Sequence, residues 1–147
     1  MRYQYKSNPI EPEPAFPDVD EAWHPILSVR LVQVKRHGVG NRFAAWVDTG
    51  CPYTYFHGDV GRAIGLKIEN GIQSRLSGIV GGAKVAVFFH DVGVIVDQHM
   101  IEIRAAFCDS LAVPGVLGRN GFFDNFRVTF DHSVFPPCFE IDRIKRD

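Results

Sequence analysis

A chain of 147 residues that is 46% hydrophobic, 22% charged and 12% aromatic has the composition of one soluble globular domain and not of a disordered tail. At this length a fold buries roughly 70% of its unfolded surface, so a core can form without disulfide or metal staples. Sixteen Lys and Arg against seventeen Asp and Glu, with no long basic run, leave no electrostatic footprint for nucleic acid or an anionic membrane.

Residues 1–22 are expected to form an extended, Pro-rich arm, because Pro9, Pro12, Pro14 and Pro17 sit among acids and exclude a helix. The compact domain is expected over 23–147. Alternation of apolar residues from Ile26 to Val34 predicts a strand that enters a hairpin turn at His37-Gly38-Val39-Gly40. Phe43 to Val47 is the returning strand, Asp48-Thr49-Gly50 interrupts it, and Tyr53 to Phe56 forms a short aromatic strand. A short helix is predicted over Asp59 to Ile64, with Gly65 at its C-terminus.

Strands at Ile72 to Ser77 and Lys84 to His90 flank Gly78-Ile79-Val80-Gly81-Gly82, which reads as the tip of a long hairpin. Further strands are predicted at Val92 to Val96 and Met100 to Phe107. After the Pro114-Gly115 break come the apolar run Val116-Leu117-Gly118, one or two helical turns within Arg119 to Asn125, and a terminal hairpin carrying Val128, Phe130, Phe139 and Ile141. The expected fold is an all-β, mostly antiparallel small barrel or sandwich with short helices.

Asp48 follows an apolar strand, so its carboxylate emerges at a strand end where the surroundings set its ionisation. Taken alone, Asp-Thr-Gly is equally an ordinary turn. The flanks add information. Val47-Asp48-Thr49-Gly50, with Thr54 and then Ala63-Ile64-Gly65-Leu66, resembles the catalytic loop and following helix of retropepsin-type aspartic proteases. Far along the chain, Val116-Leu117-Gly118-Arg119-Asn120 and the run from Phe122 to Asp131 resemble that family's apolar-apolar-Gly motif, short helix and closing strand.

The resemblance covers about Ile26 to Ile141 and implies a closed acid-protease barrel that supplies half of an active site. It implies Asp48, Thr49 and Gly50 as the catalytic loop and Gly78, Ile79, Val80, Gly81 and Gly82 as a flap. Tyr53 and Val116 are the other expected substrate contacts. Thr49 and Arg119 are expected at the dimer interface. Two departures from the family pattern stand out. Cys51 replaces a residue that is usually Ala or Ser; it is small enough to pack, and its thiol is open to oxidation or alkylation. Pro52 and Tyr53 replace the acidic pair of many viral members, which leaves Arg119 without its implied acidic partner.

Counting acids points to a dimer without the resemblance. Water-activating aspartic chemistry uses two carboxylates about 3 Å apart sharing one proton. The chain has a single Asp-Thr-Gly, and Asp109-Ser110 continues into Leu111, so the second acid must come from a second copy across a twofold axis. The expected function is a homodimeric aspartic endopeptidase acting on peptide or protein substrates. The rival reading is a non-catalytic peptide-binding or dimerisation module that keeps the fold, and a further one is self-processing of the Pro-rich arm.

Other motifs are weaker. The six histidines occur singly, without metal-ligand spacing, so no metal and no cofactor are expected. Asp131-His132-Ser133 are neighbours on one strand and cannot face one another as a triad. The Gly78 to Lys84 and Gly38 to Phe43 stretches fail the phosphate-loop and dinucleotide fingerprints. The stretch from Met1 to Phe16 lacks a signal-type apolar core, and no run reaches the roughly 18 residues that span a bilayer. With three widely spaced cysteines and no Cys-x-x-Cys, a cytoplasmic protein with reduced thiols is expected.

Overall fold

The structure is a computed structural model and describes residues 1–77 and 83–146. Its strands are β1 (Arg2–Gln4), β2 (Lys6–Pro9), β3 (Glu21–His24), β4 (Ile26–Gln33), β5 (Gly38–Val39), β6 (Phe43–Val47) and β7 (Tyr55–His57), followed by the helix α1 (Gly58–Ala63). After a 3-10 turn at Ile68–Asn70 come β8 (Ile72–Leu76), β9 (Val85–Val96), β10 (His99–Cys108), β11 (Gly115–Leu117), β12 (Phe126–Asp131) and β13 (Cys138–Arg143).

A period-two pattern closes these strands into a barrel. On β4, Leu27, Val29 and Leu31 are buried while Ser28 faces solvent, and β9 and β10 likewise send Val92, Val94, Val96, Ile101 and Ile103 inward. The sheet runs β4-β6-β11-β7-β10-β9, and pairing of β4 with β9 returns it to its start, so no inner edge is left open. Phe56, Phe107, Phe122, Phe126 and Phe139 fill the interior with the aliphatic residues. The all-β closed barrel expected from the sequence is therefore what forms. Two pairs, β6 with β11 and β7 with β10, are parallel within the otherwise antiparallel sheet.

Several boundaries differ from the sequence reading for physical reasons. The two strands expected on either side of Asp91 are one strand of twelve residues, β9. His90 and Asp91 do not break it because each has a partner: His90 Nε2 meets the Ile68 carbonyl at 2.8 Å, and Asp91 accepts from Arg104 Nε at 2.8 Å. Helix α1 starts one residue earlier than expected, with His57 Nδ1 accepting from the Asp59 amide at 3.1 Å, and Gly65 takes φ +86° just beyond its end.

Arg119 to Asn125 makes turns and no assigned helix. Gly121 has φ +100°, the Asp124 carboxylate caps its amide at 3.1 Å, and Asn125 Nδ2 donates to its carbonyl at 2.7 Å. These side chains take the backbone groups that a helix would use.

The first 22 residues run extended in two pieces. β1 pairs with β13, and Tyr5 is buried in the core with its amide bonded to the Pro137 carbonyl at 2.8 Å. β2 and β3 form a separate two-stranded ribbon on either side of the Pro-rich stretch. Among the described residues no helix is long and apolar enough to cross a membrane.

Candidate active site

The two motifs separated in sequence meet because β6 and β11 lie side by side and parallel, with Trp46 beside Val116 and Val47 beside Leu117. Both strands then end at the same level, so the loops after them leave together. The Asp48 amide donates to the Leu117 carbonyl at 3.0 Å, and the amides of Arg119 and Asn120 return bonds to the Cys51 and Pro52 carbonyls at 2.9 Å each. Thr54, fully buried, ties the same pair of loops from below. Its hydroxyl donates to the Asn120 carbonyl at 3.0 Å and accepts from the Gly118 amide at 3.2 Å. Thr54→Val keeps the shape but strands both backbone groups, and is expected to lower unfolding free energy by about 2 kcal/mol, read as a shifted denaturant midpoint.

Asp48 itself is exposed, with Thr49 and Gly50 beside it. Its Oδ1 accepts from the Gly50 amide at 2.8 Å, which fixes the carboxylate over the turn, and the Cys51 thiol donates to Oδ2 at 3.4 Å. The Arg119 side chain turns back onto this loop. Its Nη1 donates to the Thr49 carbonyl at 2.9 Å and approaches the Gly50 carbonyl at 3.5 Å. In place of the missing acidic side chains, Arg119 holds main-chain oxygens of its own chain.

Burial, followed by the negative charge and hydrogen bond of Asp48, pushes the Cys51 thiol up to about 11. A raised thiol is protonated at neutral pH and a poor nucleophile, which suits a packing role better than a reactive one. Alkylation of Cys51 by iodoacetamide is expected to be roughly a hundredfold slower than that of an exposed thiol at pH 8, rising with pH as thiolate forms. Peptide mapping of the adduct across a pH series measures it.

Next to Asp48 lies a cleft of about 600 Å³. Asp48, Gly50, Cys51 and Val116 form part of its wall, with Tyr55, Leu76, Val85, Val87 and Leu111 supplying apolar surface. The floor is a small hydrophobic cluster of Val87, Ala106 and Cys108, separate from the barrel core and on the outer face of the same sheet. Of the residues singled out in the sequence, Asp48, Gly50 and Val116 line this cleft, and Thr49 lies beside it. Tyr53 does not line it; its ring packs edge-on against Phe89 with centroids 5.3 Å apart. Gly78, Ile79, Val80, Gly81 and Gly82 lie outside the described residues.

Tyr55, Leu76, Val85 and Val87 were not singled out in the sequence. The available signal was period two: Val85 and Val87 alternate on β9, and Tyr55 stands opposite Val116 across the sheet.

His57, Asp59 and Asp109 converge elsewhere, with candidate ligand atoms within 4.8 Å of one another. Arg62 already supplies positive charge there, donating to both oxygens of Asp109 at 2.8 and 2.9 Å and to Glu69 at 3.1 Å. Hydrogen bonding from this guanidinium holds the Asp109 carboxyl below its usual range. Asp109 is thus occupied in docking α1, and Asp48 is the one carboxylate among the residues lining the cleft.

This architecture is the retropepsin-type aspartic protease fold. A retropepsin-like aspartic protease from Rickettsia conorii matches 95% of this chain and 97% of its own, with TM-score 0.52 and 11% sequence identity. The EIAV protease complexed with the inhibitor HBY-793 matches 65% of this chain and 82% of its own, with TM-score 0.46 and 21% identity. No protein-family model matches the chain, and no curated protein matches it in sequence.

Proposed function

We propose that the protein is a homodimeric aspartic endopeptidase whose catalytic dyad consists of Asp48 from each of two subunits. The observation that carries this reading is a single oriented carboxylate, exposed at the end of a core strand and forming part of the wall of a mainly apolar cleft that Ser77 and Ser110 also line. A lone carboxylate has no partner with which to share a proton, and its exposure leaves it free to meet its symmetry mate. Thr49 and Arg119, both exposed beside Asp48, fall at the same interface.

In the dyad one Asp48 is ionised and the other protonated. The ionised carboxylate takes a proton from water as the water oxygen attacks the peptide carbonyl carbon. The protonated partner gives its proton to the carbonyl oxygen, so a neutral tetrahedral diol forms. Collapse reverses the roles: the newly protonated acid protonates the departing nitrogen, and the other carboxylate takes back a hydroxyl proton. A carboxylic acid and an amine leave, and the dyad returns with one shared proton. The three free thiols, none of them paired, favour a reducing compartment, the cytoplasm.

Subunit mixing tests the shared site. Hydrolysis of a peptide library by a fixed amount of wild-type protein should be blocked by a statine-type inhibitor, and should fall as excess Asp48→Asn protein is added and captures wild-type subunits in dead pairs. Activity that ignores the added variant would show that each chain works alone and would overturn the two-subunit dyad.

A further inference from the structure

The cleft beside Asp48 has apolar walls in Leu76, Val85, Val87, Leu111 and Val116, and one aromatic side chain, Tyr55. The pleat sets its direction. Tyr55 pairs with Val116 on β11 and with Ala106 on β10, so these three side chains share one face of the sheet. Its ring packs on the cluster of Val87, Ala106 and Cys108 and meets the edge of Tyr53 with centroids 6.2 Å apart. The ring is therefore held on both sides. Its hydroxyl, by contrast, has no hydrogen-bond partner among the described residues and is not sealed from solvent. Burial, and then the neighbouring Cys51, push the phenol up to about 12, so the group is a neutral O–H throughout the physiological range.

We propose that Tyr55 is a specificity-determining residue, whose hydroxyl selects an uncharged hydrogen-bonding side chain of the Asn or Gln class at one position of the bound peptide. This rests on the reading of the cleft as a peptide site.

The argument concerns what happens when a ligand covers the hydroxyl. In the free protein water satisfies it. A leucine or methionine side chain laid over it expels that water and returns nothing, which leaves a desolvated polar group with no partner. The carboxamide of Asn or Gln has nearly the same shape and both donates and accepts, so it replaces the lost water. A carboxylate is worse than an amide here, because among the described residues no Lys or Arg lines the cleft to compensate a second desolvated negative charge beside Asp48. The neighbouring walls still favour apolar side chains at the other positions. One retained neutral hydrogen bond corresponds to about a tenfold preference in affinity.

The test uses octapeptides whose central bond is a reduced amide, so that binding is measured without cleavage. Each flanking position carries either member of the near-isosteric pairs Asn/Leu and Gln/Met, and affinities for wild-type and Tyr55→Phe protein are read by fluorescence anisotropy. The Phe variant keeps the ring and its packing, and an unchanged thermal midpoint verifies that. At one position the wild-type protein should bind the amide about tenfold more tightly than its apolar isostere. Tyr55→Phe should erase that preference, raising affinity for the Leu and Met peptides, which no longer cover an unpaired hydroxyl, and lowering it for the Asn and Gln peptides, which lose their partner. Identical rankings for the two proteins, or no measurable binding of any peptide, would overturn the inference. Hydrolysis of the matching natural peptides is scored separately: peptides bound with the Tyr55-dependent preference but never cut would sink the endopeptidase reading and leave the specificity intact.

Discussion

Asp48→Asn protein is expected to fold as the wild type does and to lose peptide hydrolysis by about a thousandfold or more, since general acid and general base catalysis are removed together. Folding survives because the contacts of this side chain do not require its charge. Asn presents a carbonyl oxygen to the Gly50 amide at the position where Asp48 Oδ1 now accepts at 2.8 Å. The remaining partner, the Cys51 thiol at 3.4 Å from Oδ2, makes a weak bond, and the side chain is exposed, so its loss is small. Chemistry fails for a different reason. A carboxamide can neither take a proton from water nor hold one to share, so both members of the proposed dyad would be disabled by this one substitution. Thermal midpoint and hydrolysis rate of one preparation measure the two effects. A variant that still cleaved peptide at the wild-type rate would place the active acid elsewhere in the chain.

That separation of folding from chemistry reflects how the loop is built. The backbone of Asp48 is anchored by Leu117, Thr49 and Gly50 are braced by the Arg119 guanidinium, and Thr54 closes the loop base from a fully buried position. None of these bonds uses the carboxylate that would do the reaction. The acid is therefore positioned by a scaffold that does not depend on its protonation state.

The parts of this arrangement legible in the sequence were those with a local signature. Period-two alternation marked β4, the returning strand β6 was read to its observed ends, and Gly65 announced the left-handed turn after α1. The glycines and apolar pairs around Asp48 and Gly118 identified the two loops that the structure brings together. What the sequence hid was set by contacts between distant elements. Nothing local says that β1 pairs with β13 across most of the chain, or that β6 and β11 run parallel. The His90-Asp91 pair reads as a strand break until Ile68 and Arg104 supply its partners. Pro52 and Tyr53 left Arg119 without an acidic partner in the sequence, and the partners it takes are main-chain carbonyls, which every residue carries and no motif can mark.

Gly118 is the residue on which the convergence of the two loops depends most directly, and Gly118→Ala is expected to be the most damaging single-methyl change in the site. A Cβ at this position would collide with the Tyr53 carbonyl oxygen and lie 2.8 Å from that of Cys51. Both obstacles are backbone, so no side chain can rotate away, and one loop must withdraw from the other. Withdrawal strains the Thr54 hydroxyl bond to the Gly118 amide and the paired bonds from Arg119 and Asn120 to the Cys51 and Pro52 carbonyls. Overpacking of this kind lowers stability by about 2 kcal/mol or more, a fall in thermal midpoint of roughly 6 °C or more for a domain of this size. The loop carrying Asp48 moves with it, so hydrolysis should fall well beyond the loss of folded protein at 25 °C. A displacement of about 1 Å at a catalytic group is enough for roughly a hundredfold. Calorimetry and the specific activity of the folded fraction would register the two losses. Wild-type stability and activity in Gly118→Ala would mean that the loops do not pack this closely, and that Asp48 is held by something other than their mutual backbone bonds.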